Sequence, residues 1–283
     1  MNNLVLTFYV YFEKCIMTDP EEKYFKSNRE LWNKRTAFHK SSEFYDVDGF
    51  KKGKNVLNKI ELTELGDVSG KSMLHLQCHF GFDSLSWARL GANVTGVDFS
   101  NKAIDTARDL SDEIGIDVSF ICANVYDLKL CLDQQFDIVF TSYGVVGWLP
   151  DLNKWANIIN HFLKPGGIFY MAEFHPVVWM FDDDFTKLTY PYLGNGVIET
   201  VQEGTYANKN AKLKHTEYSW NHSIGEVVNS LINHGLTIDF LNEFNSSPYN
   251  CFPHTTKNEE GNYYIKGYEE VLPLVYSIKA KKQ

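Results

Sequence analysis

Two short stretches carry residues whose types and spacing suit nucleotide chemistry. Leu74-His-Leu-Gln-Cys-His-Phe-Gly81 ends in a glycine just ahead of a helix start at Asp83, and Val97-Asp98-Phe99-Ser100 places a carboxylate after an apolar run. A turn entering a helix N-terminus brings backbone N–H groups toward a ligand, and a carboxylate after the next strand can accept hydrogen bonds from both ribose hydroxyls. His75, Cys78 and His79 also contain metal-ligating atom types. On a strand 75 and 77 share a face while 78 and 79 point oppositely or into the turn, so the three do not converge and no metal site is read. Cys131 and Cys251 have no base-and-orienter arrangement that would make either a nucleophile.

The elements that position these stretches alternate strand and helix. Ser72 to Gln77 is short and mostly apolar and reads as a buried strand, and Ser84 to Leu90 reads as a helix stopped by Gly91. Asn93 to Val97 is the next strand, and Ser100 caps a helix whose Ala103, Ile104, Ala107 and Leu110 fall on one face. Val118 to Cys122 and Phe136 to Thr141 follow as strands. A helix with Leu152, Trp155, Ala156, Ile159, Phe162 and Leu163 on one face then leads through Pro165-Gly166-Gly167 into the strand Ile168 to Glu173. Strands separated by single helices imply right-handed βαβ units and a parallel sheet covered on both faces. After Glu173 the rhythm breaks until the capping box Ser223-x-x-Glu226 opens a helix ending at Gly235. The last strands are expected at Leu236 to Phe244 and Leu272 to Ala280. Only the Pro/Asn/Gly-rich stretch from Asn245 to Gly261 separates them, which allows an antiparallel pair.

The composition is that of an ordinary soluble globule, with 44% hydrophobic and 22% charged residues in 283, which excludes a mostly disordered chain. A formal charge of −9 argues against a nucleic-acid binder held by a broad basic face. Five scattered cysteines without a C-x-x-C pair indicate neither a disulfide framework nor a four-thiolate zinc site, and a reducing cytoplasm is expected. The apolar stretch Leu4 to Phe12 is far short of the roughly 20 residues that span a bilayer, so no membrane partner is expected. It also lacks the flanks of a signal peptide, and Met17 is read as the true start, leaving 1–16 as a non-native or mobile extension. Residues 17–70 then form an N-terminal arm and 71–283 a catalytic domain with an insertion at about 174–222. Arm and insertion are both taken as a lid over the carboxyl ends of the strands. Nothing in the sequence specifies an oligomer.

Taken in order, Gly-Val-Asp-Phe-Ser at 96–100, Phe120-Ile-Cys-Ala-Asn-Val-Tyr-Asp127, Phe136-Asp-Ile-Val139 and Leu163-Lys-Pro-Gly-Gly167, together with the first loop, resemble the class I S-adenosylmethionine-dependent methyltransferases. The resemblance covers roughly residues 72–175 and the final strand pair. It implies an α/β fold, a doubly wound Rossmann-like seven-stranded mixed sheet with the last strand antiparallel. S-adenosylmethionine is the implied cofactor and S-adenosylhomocysteine the product. It also implies that Asp98 holds the ribose, that Phe99 packs on the adenine, and that Asn124 and Val125 face the adenine edge, with a turn residue as the alternative for Asn124. The first loop departs from the usual Asp-x-Gly-x-Gly-x-Gly pattern. His75, Gln77 and His79 stand at the first three places and only Gly81 remains. Gln77 and His79 could contact the methionine carboxylate or amine through their side chains, or their bulk could close the pocket.

The segment Thr141-Ser-Tyr-Gly-Val-Val-Gly-Trp148 lies where the family places substrate near the sulfonium. Ser142 is accordingly placed with the cofactor contacts, and Tyr143 with catalysis or pocket shape. His175, at the same rim in Glu173-Phe-His175-Pro176, is the general-base candidate, against a structural histidine bonding a loop carbonyl; His222 is the weaker second. The Asn/Asp-Pro-Pro-aromatic motif of amino-methylating DNA enzymes is absent after the fourth strand. With the acidic charge, this favours a small-molecule acceptor and no DNA partner. Aromatic residues make up 15% of the chain and crowd the arm (Tyr24, Phe25, Trp32, Phe38, Phe44, Tyr45) and the insertion (Trp179, Phe181, Phe185, Tyr190, Tyr192). They could wall such a pocket or simply pack these additions onto the core. Two other function classes stay open: a cofactor-binding protein that has lost transfer, and a nicotinamide-dependent oxidoreductase, whose Gly-x-Gly-x-x-Gly is not supplied here.

Overall fold

The structure, a computed structural model, describes residues 21–283 apart from 183, 195 and 210. The expected start at Met17 and the extension 1–16 lie outside the described residues.

Three helices, α1 (Glu22–Lys40), α2 (Val47–Lys51) and α3 (Lys59–Leu65), lead into the sheet. Then come β1 (Ser72–Leu76), α4 (Phe82–Arg89), β2 (Asn93–Asp98), α5 (Asn101–Ile114), β3 (Ser119–Cys122), β4 (Phe136–Thr141), α6 (Leu152–Phe162) and β5 (Leu163–Phe174). The expected strand–helix alternation is what forms. Ser100 Oγ accepts the Ala103 N–H at 3.1 Å and so starts α5, whose Ala103, Ile104, Ala107 and Leu110 are buried. The insertion carries a hairpin, β6 (Ile198–Glu203) with β7 (Lys214–Ser219), before α7 (Ile224–Asn233) and β8 (Leu236–Phe244). A small hairpin, β9 (Thr255–Lys257) with β10 (Tyr263–Ile265), precedes β11 (Val275–Lys282).

The main sheet has seven strands in the order β3-β2-β1-β4-β5-β11-β8. β11 runs antiparallel to both neighbours, pairing Ile278 with Met171 on one side and with Leu241 on the other. Neither hairpin was legible in the sequence. β6 and β7 present strings such as Ile-Glu-Thr-Val-Gln-Glu with residues only half buried, which lack the apolar alternation that marks a core strand.

Along β1 and β4 successive side chains enter opposite layers of the core, as a two-fold repeat demands. Met73, Ile138 and Phe140 pack with Trp87 and Ala107, while Leu74, Leu76 and Val139 pack with Trp155 and Phe162. Burial on both faces explains why β1 reads as an apolar run rather than an alternating one. The arm and the insertion meet each other over the sheet. Asn28 of α1 donates to Tyr218 O at 2.8 Å and accepts from Tyr218 N at 3.0 Å, and Arg35 pairs with Glu217 at 2.7 Å.

Candidate active site

At the carboxyl ends of β1, β2, β4 and β5, where the sheet order reverses between β1 and β4, lies a cavity of about 730 Å³. That is within the ~300–1,000 Å³ usual for small-molecule sites, and its place is the one doubly wound sheets use for ligands. Gln77, His79, Gly81, Asp98, Phe99, Asn124, Val125, Ser142 and Tyr143 all border it. His175 does not.

Asp98 is buried, its Oδ2 accepting the His79 N–H at 2.9 Å and its Oδ1 the Ser100 N–H at 2.8 Å. The carboxylate thereby ties the first loop to the start of α5. Burial pushes its carboxyl up to about 6 against the pull of these N–H donors. Gly81, at φ +82°, carries no side chain for a reason of space: a Cβ there would lie 2.6 Å from Phe120 Cζ.

The loop departs from glycine in residue type but not in course. Gln77 and His79 have φ of +56° and +52°, the left-handed region that costs an L-residue roughly 1–2 kcal/mol. Gln77 Nε2 donates to Val145 O at 3.3 Å. The His79 ring is packed among Trp32, His39, Tyr45 and Phe80, where burial depresses its pKa well below the usual value. The cavity stays open past both side chains. Gln77→Gly is therefore expected to be more stable than Gln77→Ala by about 1–2 kcal/mol in chemical denaturation; equal stabilities would show an unstrained backbone at this position.

His75, at the place of the family's acidic residue, is buried and held neutral, its pKa pushed down to about 3 by burial. A directed chain of bonds explains its tautomer. Ser142 donates to Asp83 Oδ2 at 2.8 Å, leaving the Ser142 oxygen to accept from His75 Nε2 at 3.4 Å, while His75 Nδ1 accepts from Ser84 Oγ at 2.8 Å. Asp83 borders the cavity in the first turn of α4, with burial raising its carboxyl to about 6. Its sequence context shows a helix start and nothing more.

Asn124 Oδ1 accepts the Tyr126 N–H at 3.2 Å, the turn-capping alternative, while the residue still borders the cavity. His175 corrects the base assignment. Its Nδ1 accepts the Val177 N–H at 3.2 Å, so Nε2 carries the proton and donates to Glu243 of β8 at 2.9 Å. Both ring nitrogens are thereby engaged, and the residue does not border the cavity. His222 borders the cavity, yet its Nε2 donates to Leu149 O at 2.7 Å, pinning it to the wall.

Two further charged residues had no signal in the sequence. Arg35 of α1 reaches the cavity with its guanidinium 5.2 Å from the Trp32 ring and 5.6 Å from that of Trp148, and its buried Nε has no partner among the described residues. Glu173, one residue before the end of β5, is buried, and its carboxylate accepts the N–H groups of Gly144, Val145, Val146 and Phe174. The turn after β4 is thus shaped by one carboxylate. Much of the aromatic excess also lines the cavity, including Trp32, Phe44 and Tyr45 from the arm and Trp179, Phe181 and Phe185 from the insertion. Tyr24, Phe38 and Tyr192 do not border it. Among the described residues no group of three or more His, Cys, Asp or Glu could hold a metal ion.

Residues 74–171 match the family described as methyltransferase domain. The chain is 30% identical over 157 residues to a ubiquinone biosynthesis O-methyltransferase of Xanthomonas euvesicatoria, covering 51% of this chain and 65% of that protein. It is 30% identical over 131 residues to the protein of the same name from Proteus mirabilis, covering 45% and 53%. The chain thus spans about half to two thirds of the length of these curated relatives. Among solved structures, an S-adenosylmethionine-dependent methyltransferase from Mesorhizobium loti superposes with a TM-score of 0.54 at 21% identity, covering 82% of this chain and all of that one. One from Clostridium acetobutylicum gives 0.55 at 13% identity, covering 89% and 99%. The central strands thus match a methyltransferase domain, and the sheet, with its order and its reversed β11, shares its fold with these solved structures.

Proposed function

We propose that the protein transfers a methyl group from S-adenosylmethionine to a small-molecule acceptor. The observation that supports this reading is one cavity bordered both by Asp98, Phe99, Asn124 and Val125 and by an aromatic wall from the arm and the insertion. The residues present fit the cofactor. A carboxylate ends β2, the Gly81 cradle is one a Cβ would fill, and Gln77 Oε1 and His79 Nε2 are buried without a protein partner among the described residues. When bound, the cofactor supplies a methyl group already activated on a sulfonium. Asp98 would hold the ribose, Phe99 the adenine face, and Asn124 and Val125 its edge. Arg35 supplies a cation for the methionine carboxylate and Asp83 an anion for its ammonium, restoring the charge that His75 does not bring to β1. The arm and the insertion act as the lid that excludes water.

A small acceptor suits a cavity walled by aromatic rings, and it agrees with the curated relatives, which are ubiquinone biosynthesis O-methyltransferases. No helix among the described residues is long and apolar enough to cross a membrane. We place the protein in the cytoplasm, a reading supported by five scattered cysteines without a C-x-x-C pair. Calorimetric titration with S-adenosylhomocysteine and, separately, with NADH tests the reading. One equivalent of S-adenosylhomocysteine is expected to bind, and NADH is not. Binding of NADH alone would move the protein to the oxidoreductases, and tight S-adenosylhomocysteine binding without consumption of S-adenosylmethionine across a broad acceptor panel would mark a protein that has lost transfer.

A further inference from the structure

The cavity wall carries two phenols wired to one buried carboxylate. Tyr143, in the turn after β4, donates its O–H to Glu61 Oε2 at 3.0 Å. Glu61 lies on α3 with no exposed surface, and its Oε1 accepts the Asn58 N–H at 2.6 Å and the Asn58 Nδ2–H at 3.0 Å. The same Asn58 Nδ2 donates to the Tyr249 hydroxyl at 2.9 Å. These bonds fix the polarity of what faces the cavity. Tyr143 gives its only proton to Glu61, so toward a ligand its oxygen accepts; Tyr249 accepts from Asn58 and keeps its own proton to donate. Both residues border the cavity, with ring centroids 5.0 Å apart and Phe174 packed on each. An acceptor beside a donor on an aromatic wall is the complement of a hydroxyl group on a planar molecule.

We propose that Tyr143 and Tyr249 recognise a hydroxyl of the methyl acceptor, and that Glu61 is the positioning residue that takes a proton through Tyr143 as that oxygen is methylated. The proposal rests on the methyl-transfer reading above. The step balances. The acceptor O–H bond breaks as its proton passes to Tyr143 Oη, and the Tyr143 proton passes to Glu61 Oε2. The acceptor oxygen forms the O–CH3 bond while the CH3–S bond breaks, and its electron pair remains on sulfur, turning the sulfonium into a thioether. The positive charge of the sulfonium and the negative charge of Glu61 disappear together.

The groups facing Glu61 are Asp83 from α4, Tyr143 from the turn after β4, Tyr170 of β5 bonded to Glu64, and Tyr249 from the segment after β8. All are acids. Burial first, then the charge of Asp83, pushes the Glu61 carboxyl up to about 7 against the pull of the Asn58 N–H. Near neutral pH it can both hold and release a proton.

The test uses the full chain saturated with S-adenosylhomocysteine, with 2-naphthol and its methyl ether, 2-methoxynaphthalene, as calorimetric probes between pH 6 and 8.5. Wild type is expected to bind 2-naphthol about tenfold tighter than the ether, and the preference should grow as pH rises through about 7. Tyr143→Phe should remove most of the preference. Glu61→Gln, of the same shape, should leave it independent of pH. If S-adenosylhomocysteine fails to bind wild type, the cofactor reading falls and this proposal with it. If it binds but naphthol and ether bind alike, or Glu61→Gln keeps the wild-type pH profile, the proposal alone is overturned.

Discussion

Replacing Asp98 with alanine is expected to weaken S-adenosylhomocysteine binding by tenfold at least, the largest loss from any single change on the cofactor side. Its two oxygens already accept the His79 and Ser100 N–H groups, but an ionised carboxylate offers about four lone-pair sites, so each oxygen keeps one for a ribose hydroxyl. Hydrogen bonds to a charged group contribute about 1.5–3 kcal/mol each, and one such bond is enough for a tenfold change. The substitution also frees the His79 N–H from the loop that Gln77 and His79 hold in a left-handed course, so part of the loss would come from a loosened loop. Asp98→Asn separates the two effects: it keeps the size and one acceptor oxygen but turns an N–H group toward one of the backbone donors.

The same carboxyl predicts a pH dependence. Burial raises it in the folded, ligand-free protein to about 6, and in the proposed site the ribose hydroxyls would bind its ionised form, so affinity should fall as pH drops below about 6. In the absence of ligand the sign for folding is the reverse of a salt-bridged carboxylate: a folded pKa above the unfolded one means stability is lost as pH rises between about 4 and 6. Calorimetry at pH 7.5 and 5.5 checks the first statement. An affinity unchanged by both the pH shift and Asp98→Ala would remove Asp98 from the cofactor site.

The parts of this protein that were legible in its sequence are those set by local pattern. Ser100 followed by Ala103, Ile104, Ala107 and Leu110 announces a capped amphipathic helix, and the apolar run before Asp98 announces the strand that this residue ends. The parts that were not legible depend on which segments meet in three dimensions. Arg35 sits on a helix 60 residues or so before Asp98, and nothing in that helix says its guanidinium will reach the same cavity. Tyr249 lies in a Ser-Pro-Tyr sequence between strands with no local mark of a site; only the fold brings its ring against Tyr143. His175 shows the opposite error. Its place at the strand end suggested a base, yet the Val177 N–H and Glu243 occupy both ring nitrogens, so chain position placed the backbone correctly and misjudged where the side chain would turn. Glu61 escaped notice because its capping-box role with Asn58 is a sufficient local reason for a glutamate there.

Glu173→Ala is expected to lower the thermal midpoint on the order of 10 °C and to unfasten the turn that carries Tyr143. Four backbone N–H groups point at this carboxylate, and two of them belong to the buried residues Val145 and Val146. Water can reach Gly144 and Phe174 more readily, so the estimate rests on the two buried donors. Each buried donor left unpaired costs about 1–3 kcal/mol, and in a chain of this size each kcal/mol moves the midpoint by roughly 2–4 °C. Burial keeps the Glu173 carboxyl above its ordinary range despite the four donors, which shows that desolvation is not fully offset and that the charge itself is a weak source of stability. The cost of removal therefore comes from the orphaned donors rather than from lost attraction. Glu173→Gln tests that distinction, because its single amide oxygen can satisfy some of the donors while its NH2 group faces the others, placing its midpoint between those of wild type and Glu173→Ala. Amide exchange at Val145 and Val146 should accelerate in both variants in the same order. A Glu173→Ala protein that melts within about 2 °C of wild type, with those amides still protected, would show that the turn after β4 is held by something other than this carboxylate.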